Sequence, residues 1–185
     1  MALPATIHRL DINLSDVDRG VYEQLELRLA RHPSESMRYL LTRTLAYCLS
    51  YAEGITFSKE GLSSTDEAPV AIRDLTGLLL AWIDVGAPSA ERLHRASKAA
   101  ARVAIYTHVS LALLQKEAAT KAIHKIEDIE VWRVEPAFLD ALAERVDRNT
   151  KLELVRNDGH LYVTIEGVVI EGTITLASLA EEEGR

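Results

Sequence analysis

One stretch near the middle of the chain, residues 66–108, constrains the fold most strongly. It begins with two acidic residues and continues as two apolar segments separated by the turn Asp74–Gly77. A helix-forming segment rich in basic residues follows, and then another apolar segment. Short apolar runs bounded by turn residues are typical of buried strands. The order strand, strand, helix, strand predicts an α/β fold in which the last strand is an interior parallel strand.

Periodicity predicts the elements on both sides of that stretch. Alternating apolar residues predict a hairpin of strands at 5–14 and 21–31, although the Leu and Glu content of the second segment makes a helix its alternative. Apolar residues three and four apart predict a helix over 34–53 with Ser34 as its N-cap. The remaining predicted elements are strands at 55–58, 70–74 and 78–85, a helix at 89–101, a strand at 103–107, a helix at 109–124, a strand at 129–134, a helix at 136–147, and strands at 151–156, 160–166 and 168–176.

Length and composition indicate one globular domain. The chain has 185 residues, of which 48% are hydrophobic and 26% are charged, as in ordinary globular proteins. We expect one α/β domain over 1–180, with a mixed sheet flanked by helices, and a frayed acidic tail at 181–185. The longest apolar run is far shorter than the ~20 residues of a membrane helix, and the N-terminus lacks a signal-peptide pattern. With Cys48 as the only cysteine, these features predict a cytoplasmic protein without membrane association.

Acidic residues near strand ends are the main candidates for chemistry. Asp84 lies near the C-terminal end of an apolar strand, where α/β sheets usually bind ligands. If the strands around the Asp74–Gly77 turn pair, either Asp66 or Glu67 reaches the same end of the sheet. Converging carboxylates are the hard oxygen ligands that suit Mg²⁺ or Mn²⁺. The alternative is that Asp84 caps a turn or pairs with an arginine, and that the other two acids are solvated.

Basic residues on the following helix complete this candidate site. Arg95 and Lys98 are three residues apart and therefore lie on one side of that helix. A cation reaching back over the sheet end would stabilise an anionic phosphorane or orient a water molecule. Glu35 is a further candidate carboxylate, although an acid in a first helical turn is also explained by the helix dipole.

Other chemistries are poorly supported. The six histidines are scattered without the spacing of a zinc site, and the Gly-rich and nucleophile motifs of nucleotide-binding proteins and serine hydrolases are missing. The net charge of −7 argues against broad binding to duplex nucleic acid. Any contact with nucleic acid is therefore expected to be local.

Several segments, in order, resemble the YaeQ family of small bacterial proteins. They cover nearly all of the N-terminal two-thirds of the chain and are DINLSDVDR (11–19), LARHPSE (29–35), GLSSTDE (61–67), DLTG (74–77), WIDVG (82–86) and VAIYTH (103–108). The resemblance implies a variant of the PD-(D/E)XK nuclease fold, with an αβββαβ core to which this chain adds an N-terminal hairpin and C-terminal strands. It also implies metal-ligating acids in the 66–69 region and at Asp84.

The chain departs from the nuclease motif at two positions. Position 86 is Gly where the motif has Lys, which leaves Lys98 or Arg95 as the displaced basic residue. Pro69 aligns with the motif Asp, which leaves Glu67 or Asp66 as a shifted substitute. Two main hypotheses follow, and a purely structural or oligomeric role is a third. One is a metal-dependent nuclease that uses Mg²⁺ or Mn²⁺. The other is a catalytically inactive module that binds nucleic acid or a transcription-related protein.

Overall fold

The computed structural model describes residues 3–59 and 66–180. In chain order the elements are β1 (Thr6–Asp16), β2 (Val21–Arg31), α1 (Met37–Leu49), β3 (Ile55–Phe57), β4 (Val70–Arg73), β5 (Leu79–Val85), α2 (Ala90–Ala99), β6 (Arg102–Thr107), α3 (Leu111–Ala118), a 3₁₀ helix (Ile126–Asp128), β7 (Glu130–Val134), α4 (Pro136–Ala143), β8 (Asn149–Asn157), β9 (His160–Ile165) and β10 (Val168–Ser178). The predicted α/β class with a mixed sheet is confirmed. The chain order α1-β3-β4-β5-α2-β6 matches αβββαβ, while its identity as a PD-(D/E)XK core stays a prediction.

The chain forms two compact units. Unit 1 comprises Met1–Thr44 and Val134–Ile174, and unit 2 comprises Leu45–Arg133 and Thr175–Arg185. That residues 1–180 form one domain therefore stays a prediction, because the division into two units does not test it. The polar residues 59–65 predict a turn, of which residues 60–65 lie outside the described residues, as does the predicted frayed tail at 181–185. Within the described ranges, no helix is long and apolar enough to cross a membrane.

Unit 1 is built on the predicted N-terminal hairpin. Strands β1 and β2 pair antiparallel along their full length, and β1 also pairs parallel with β8. The strand order in this unit is β2-β1-β8-β9-β10. Leu10, Ile12 and Leu14 of β1 are buried, whereas the intervening residues of that strand face outward. Leu25, Leu27 and Leu29 of β2 are buried in the same alternating way, so the second segment is a strand rather than a helix. This alternation gives the hairpin one polar face.

Unit 2 positions the acidic residues of the candidate site. Its strand order is β7-β6-β5-β4-β3, with β5, β6 and β7 parallel and β4 antiparallel to β5. Ser89 caps α2 and its hydroxyl accepts a hydrogen bond from the Arg92 amide at 3.2 Å. Ala96 and Leu93 on the buried face of α2 belong to the core of this unit. Small side chains on α2 let the helix lie close to the sheet.

The predicted helix ends need correction at three places. Helix α1 begins after Ser36, whose hydroxyl accepts from the Tyr39 amide at 3.1 Å, so Ser34 is not its N-cap and Glu35 precedes the helix. Helix α3 ends at Ala118 rather than near 124, where the chain tightens into a 3₁₀-type bond from the Thr120 amide to the Glu117 carbonyl. Helix α4 ends at Ala143, since the chain tightens into a 3₁₀-type bond from the Arg145 amide to the Leu142 carbonyl.

Candidate functional site

Asp84 lies next to the end of β5 and is only 2% exposed. Trp82 lies two residues earlier on the same strand, so the two side chains share one face of the sheet. The indole Nε1 of Trp82 donates a hydrogen bond of 2.7 Å to Oδ2 of Asp84. A carboxylate at this depth requires such donors, because burying it without partners is costly.

Arg92 supplies the charge that balances Asp84. Its Nε lies 2.9 Å from Oδ1 and 3.0 Å from Oδ2 of Asp84. The guanidinium carbon stands 5.2 Å from the centre of the Trp82 ring, in cation–π geometry. A second nitrogen, Nη2, donates to the carbonyl oxygen of Glu67 at 2.8 Å. One arginine thus binds the carboxylate at the end of β5 and the backbone just before β4.

The pKa of Asp84 depends on its burial and on its two partners, Arg92 and Trp82. Burial raises the pKa of Asp84 above its ordinary value, whereas the charge of Arg92 and the hydrogen bonds from Trp82 and Arg92 act to lower that pKa. The buried ion pair with an arginine is the structural alternative that the sequence left open for Asp84. Both oxygens of the carboxylate accept hydrogen bonds from protein donors.

Asp66 and Glu67 lie at the predicted end of the sheet, but their side chains are exposed. Strand pairing places Val70 opposite Ile83, and continuing the register by one residue brings Pro69 opposite Asp84. The carboxylate of Asp66 forms an exposed ion pair of 2.8 Å with Arg95. Glu67 is linked to Asp84 through its backbone carbonyl, by way of the Arg92 side chain.

The contacts described for Lys98 and Glu35 do not involve Asp84. Lys98 is exposed in the last turn of α2, and none of the ion pairs in the described parts of the chain includes it. Glu35 belongs to unit 1, where it is buried and pairs with Arg43 at 3.0 Å. Its carboxylate also accepts from the His32 amide at 3.2 Å. Burial raises the pKa of Glu35, and the charge of Arg43 opposes that rise.

The donor set does not fit a divalent metal in this arrangement. Over residues 3–59 and 66–180, no group of three or more His, Cys, Asp or Glu side chains is placed to hold a metal ion. Arg92 already binds both carboxylate oxygens of Asp84, so a cation at this position would compete with the arginine for them.

A cavity of about 450 Å³ lies beside this cluster in unit 2. Its apolar lining comes from aromatic and aliphatic side chains, and charged residues of both signs surround it. The lining residues are Thr56, Phe57, Ser58, Lys59, Asp66, Glu67, Ala68, Ala71, Arg73, Leu79 and Trp82. An apolar cavity with a few polar groups at its border is the usual form of a binding site.

Sequence reasoning missed Arg92 and the polar role of Trp82. Two local signals were present in the chain. The period of a strand places residue 82 on the same face as Asp84. The N-cap at Ser89 makes Arg92 the third residue of its helix, and helical side chains point back toward the N-terminus of the helix. These signals show the direction of each side chain but not the partner it meets.

Comparisons with known proteins agree with the resemblance in the sequence. A family model described as YaeQ protein matches residues 1–174. The protein named "Uncharacterized protein YaeQ" of Escherichia coli (strain K12) is 32% identical over 178 residues, covering 95% of this chain and 97% of its own length. Its namesake in Salmonella typhi is 32% identical over 167 residues, covering 89% and 91% of the two chains.

Two solved structures are also similar to this chain. The crystal structure of YaeQ protein from Pseudomonas syringae has a TM-score of 0.86 at 32% identity, covering 99% of this chain and 100% of that one. The YaeQ protein from Xanthomonas axonopodis pv. citri gives a TM-score of 0.84 at 27% identity, covering 94% and 98%. On the family match, the sequence identities and the shared fold, this chain belongs to the YaeQ family.

Proposed function

We propose that this protein is a binding module without nuclease activity, and that it holds a segment of a partner protein in the cavity of unit 2. One observation carries the proposal. Both carboxylate oxygens of Asp84 are bound by Arg92, and Trp82 donates to one of them as well. In this proposal Asp84, which the family resemblance puts in the place of a nuclease metal ligand, anchors α2 against β5 instead.

The second candidate is the metal-dependent nuclease that the family resemblance implies. The placement of Asp84 beside the end of β5, with the Glu67 backbone linked to it, favours this candidate. In this hypothesis Asp84 with Glu67 or Asp66 would bind Mg²⁺ or Mn²⁺. Lys98 or Arg95 would supply the cation near the substrate, and Glu35 would assist.

The cavity suits a protein segment better than a nucleic acid. Its border carries Lys59 and Arg73 but also Asp66 and Glu67, whereas a phosphate backbone is bound mainly by Lys and Arg. The net charge of −7 likewise argues against a nucleic acid as the ligand. Strand β3 is the last strand of the unit 2 order, and an extended peptide can add to a sheet edge of this kind.

The family resemblance makes a transcription-related protein the partner to test, with a local contact to nucleic acid as the alternative. We also place the module in the cytoplasm, because its single cysteine, Cys48, is buried and free and a chain without disulfides is typical of a reducing compartment.

Titration of Mn²⁺ separates the two candidates. The wild-type protein and an Asp84→Asn variant are titrated in parallel by calorimetry and by the relaxation of water protons. The binding-module proposal expects no saturable Mn²⁺ binding in either protein. Saturable binding to the wild type that is lost in Asp84→Asn would overturn the proposal and justify a screen of DNA and RNA cleavage.

A second experiment tests the cavity. Purified RNA polymerase and single-stranded nucleic acids are offered to the wild type, to Leu79→Arg in the cavity and to Leu176→Arg. Leu176 is 59% exposed on β10 and does not line the cavity, so it controls for the added charge. We expect polymerase binding that Leu79→Arg abolishes and Leu176→Arg leaves intact, with both variants folded by circular dichroism. Nucleic-acid binding with the same dependence would instead support the alternative partner.

A further inference from the structure

The polar face of unit 1 carries two arginines side by side on neighbouring strands. The register places Arg9 of β1 directly opposite Arg28 of β2, and on the other side it places Arg9 beside Asn149 of β8. All three residues are exposed and border a cavity of about 430 Å³ on the sheet. This cavity lies wholly within unit 1 and is separate from the Asp84 cluster described above.

Two cations in this arrangement repel each other. Like charges directly opposite on paired strands destabilise a sheet, because their Cβ atoms are only about 4.5–5.5 Å apart. Neither Arg9 nor Arg28 takes part in any ion pair of the described residues. An anion bound between the two guanidinium groups would remove this repulsion.

The acids on the same face form no ion pair with Arg9 or Arg28 in the described parts of the chain. Asp11 and Glu26 lie opposite each other two residues along the strands, and Lys151 lies beside Asp11 on β8. Asp11 accepts a hydrogen bond of 2.5 Å from the Gln24 amide, on the side away from Arg9 and Arg28. The row of Arg9 and Arg28 thus carries two positive charges, whereas the next row carries the two acids together with Lys151.

We propose that Arg9 and Arg28, together with the Asn149 amide, bind the dianionic phosphate group of a small phosphate monoester. Guanidinium groups present forked donors that match the oxygens of phosphate, and a dianion balances both positive charges, whereas a carboxylate balances only one. The proposal does not depend on the function of unit 2.

The rest of the ligand is accommodated farther along the face. A second cavity of about 310 Å³ shares Asp11 and Lys151 with the first, and its lining includes Asn13, Gln24, Glu153, Thr164 and Glu166. Carboxylates and amide oxygens accept hydrogen bonds. The non-phosphate part of the ligand therefore carries hydrogen-bond donors, as the hydroxyl groups of a sugar phosphate do.

Calorimetric titration with inorganic phosphate and with ribose 5-phosphate tests this site. Buffers contain neither phosphate nor sulfate, and chloride holds the ionic strength constant. We expect one saturable site per chain that binds ribose 5-phosphate more tightly than phosphate. The affinity for ribose 5-phosphate should rise between pH 5 and pH 7, since the second pKa of a phosphate ester is about 6. Arg9→Gln and Arg28→Gln should each weaken binding at least about tenfold, the loss of one charge-assisted contact of roughly 1.4 kcal/mol.

Arg145→Gln is the matched control. Arg145 is an exposed arginine of unit 1 that does not line either cavity, so it reports the effect of net charge alone. Binding that is absent for both probes, or that falls equally in Arg145→Gln, would overturn the proposal. Equal affinity for acetate would overturn the assignment to a dianion. If phosphate and ribose 5-phosphate bound with equal affinity, the second cavity would not contribute to ligand binding.

Discussion

The Nε of Arg92 lies within 3.0 Å of both oxygens of Asp84, across the gap between α2 and the end of β5. The Asp84 carboxylate is nearly inaccessible, and the arginine side chain is only 17% exposed. This ion pair therefore lies in a region of low dielectric, where the attraction between the two charges is strong. Its loss should destabilise the folded protein. A metal ion and Arg92 would compete for the same two oxygens.

Loss of Arg92 should destabilise the protein strongly. Arg92→Gln leaves Asp84 buried without its counter-charge, and we expect the free energy of unfolding to fall by about 3–5 kcal/mol. Arg95→Gln is the matched control, because it breaks an exposed ion pair with Asp66, and such pairs contribute about 0–1 kcal/mol. Urea unfolding followed by circular dichroism measures both changes.

The double variant Asp84→Asn with Arg92→Gln separates charge from packing in that experiment. Replacing both partners leaves no buried charge, so this protein should be more stable than Arg92→Gln alone. If the two proteins unfold at the same urea concentration, the loss in Arg92→Gln comes from packing rather than from the unpaired carboxylate.

Cys48 should be inert in the folded protein. Burial raises the pKa of its thiol from 9.0 to about 12, and only the thiolate reacts with disulfide reagents. At pH 8 roughly one thiol in ten thousand is ionised, from the difference of about four pH units. We expect no reaction with Ellman's reagent in native buffer and one equivalent in strong denaturant. Rapid reaction of the native protein would show that α1 opens readily.

The carboxylate of Asp18 should stabilise the fold near neutral pH and lose this effect at acidic pH. Its carboxylate accepts from the backbone amides of Gly159 at 3.1 Å and Asp158 at 2.6 Å, which tie the β1–β2 turn to the β8–β9 turn. These hydrogen bonds lower the pKa of Asp18 below its ordinary value of 3.8. The stabilisation is therefore present above pH 3.8 and is lost as the pH falls through the lower pKa of the folded state.

Thermal unfolding between pH 2 and pH 7 tests this dependence. The melting temperature of Asp18→Asn should lie below that of the wild type near neutral pH, and the two should converge at the acidic end. Asp158→Asn removes a charge from the facing turn but keeps the backbone amide, so it serves as the control. A constant difference between Asp18→Asn and the wild type across the pH range would contradict the assignment.

Gly54 should not tolerate a side chain. Its φ is +87°, and a Cβ at this position would overlap the carbonyl oxygen of Arg73. Gly77 has the same φ of +87° but has no atom within 4 Å of such a Cβ. We expect Gly77→Ala to cost about 1–2 kcal/mol from backbone conformation alone, and Gly54→Ala to cost clearly more. Chemical denaturation gives the free energy of unfolding of both variants, and the difference between them reports the overlap of the new Cβ with the Arg73 carbonyl oxygen. Equal losses would show that β4 shifts freely away from residue 54.

The sequence by itself determined most of the elements, because these follow from local periodicity and turn chemistry. Strict alternation identified β2 as a strand, and Ser89 with Pro88 marked the start of α2. The position of Asp84 near a strand end was predictable for the same reason. Helix ends were less predictable, since α3 and α4 each end where one backbone hydrogen bond tightens to the 3₁₀ type, and no apolar periodicity marks that position.

Only the tertiary structure decided which side chains meet. The partnership of Arg92 with Asp84 depends on how α2 packs against β5, and the juxtaposition of Arg9 with Arg28 depends on strand register. A shift of register by one residue would place different side chains opposite each other and reverse the faces of the strand. Periodicity identifies the face of each element, but the pairing of two faces is set by hydrophobic burial summed over the whole chain. For this reason the elements could be derived from the sequence, whereas the arginine that occupies the carboxylate of Asp84 could not.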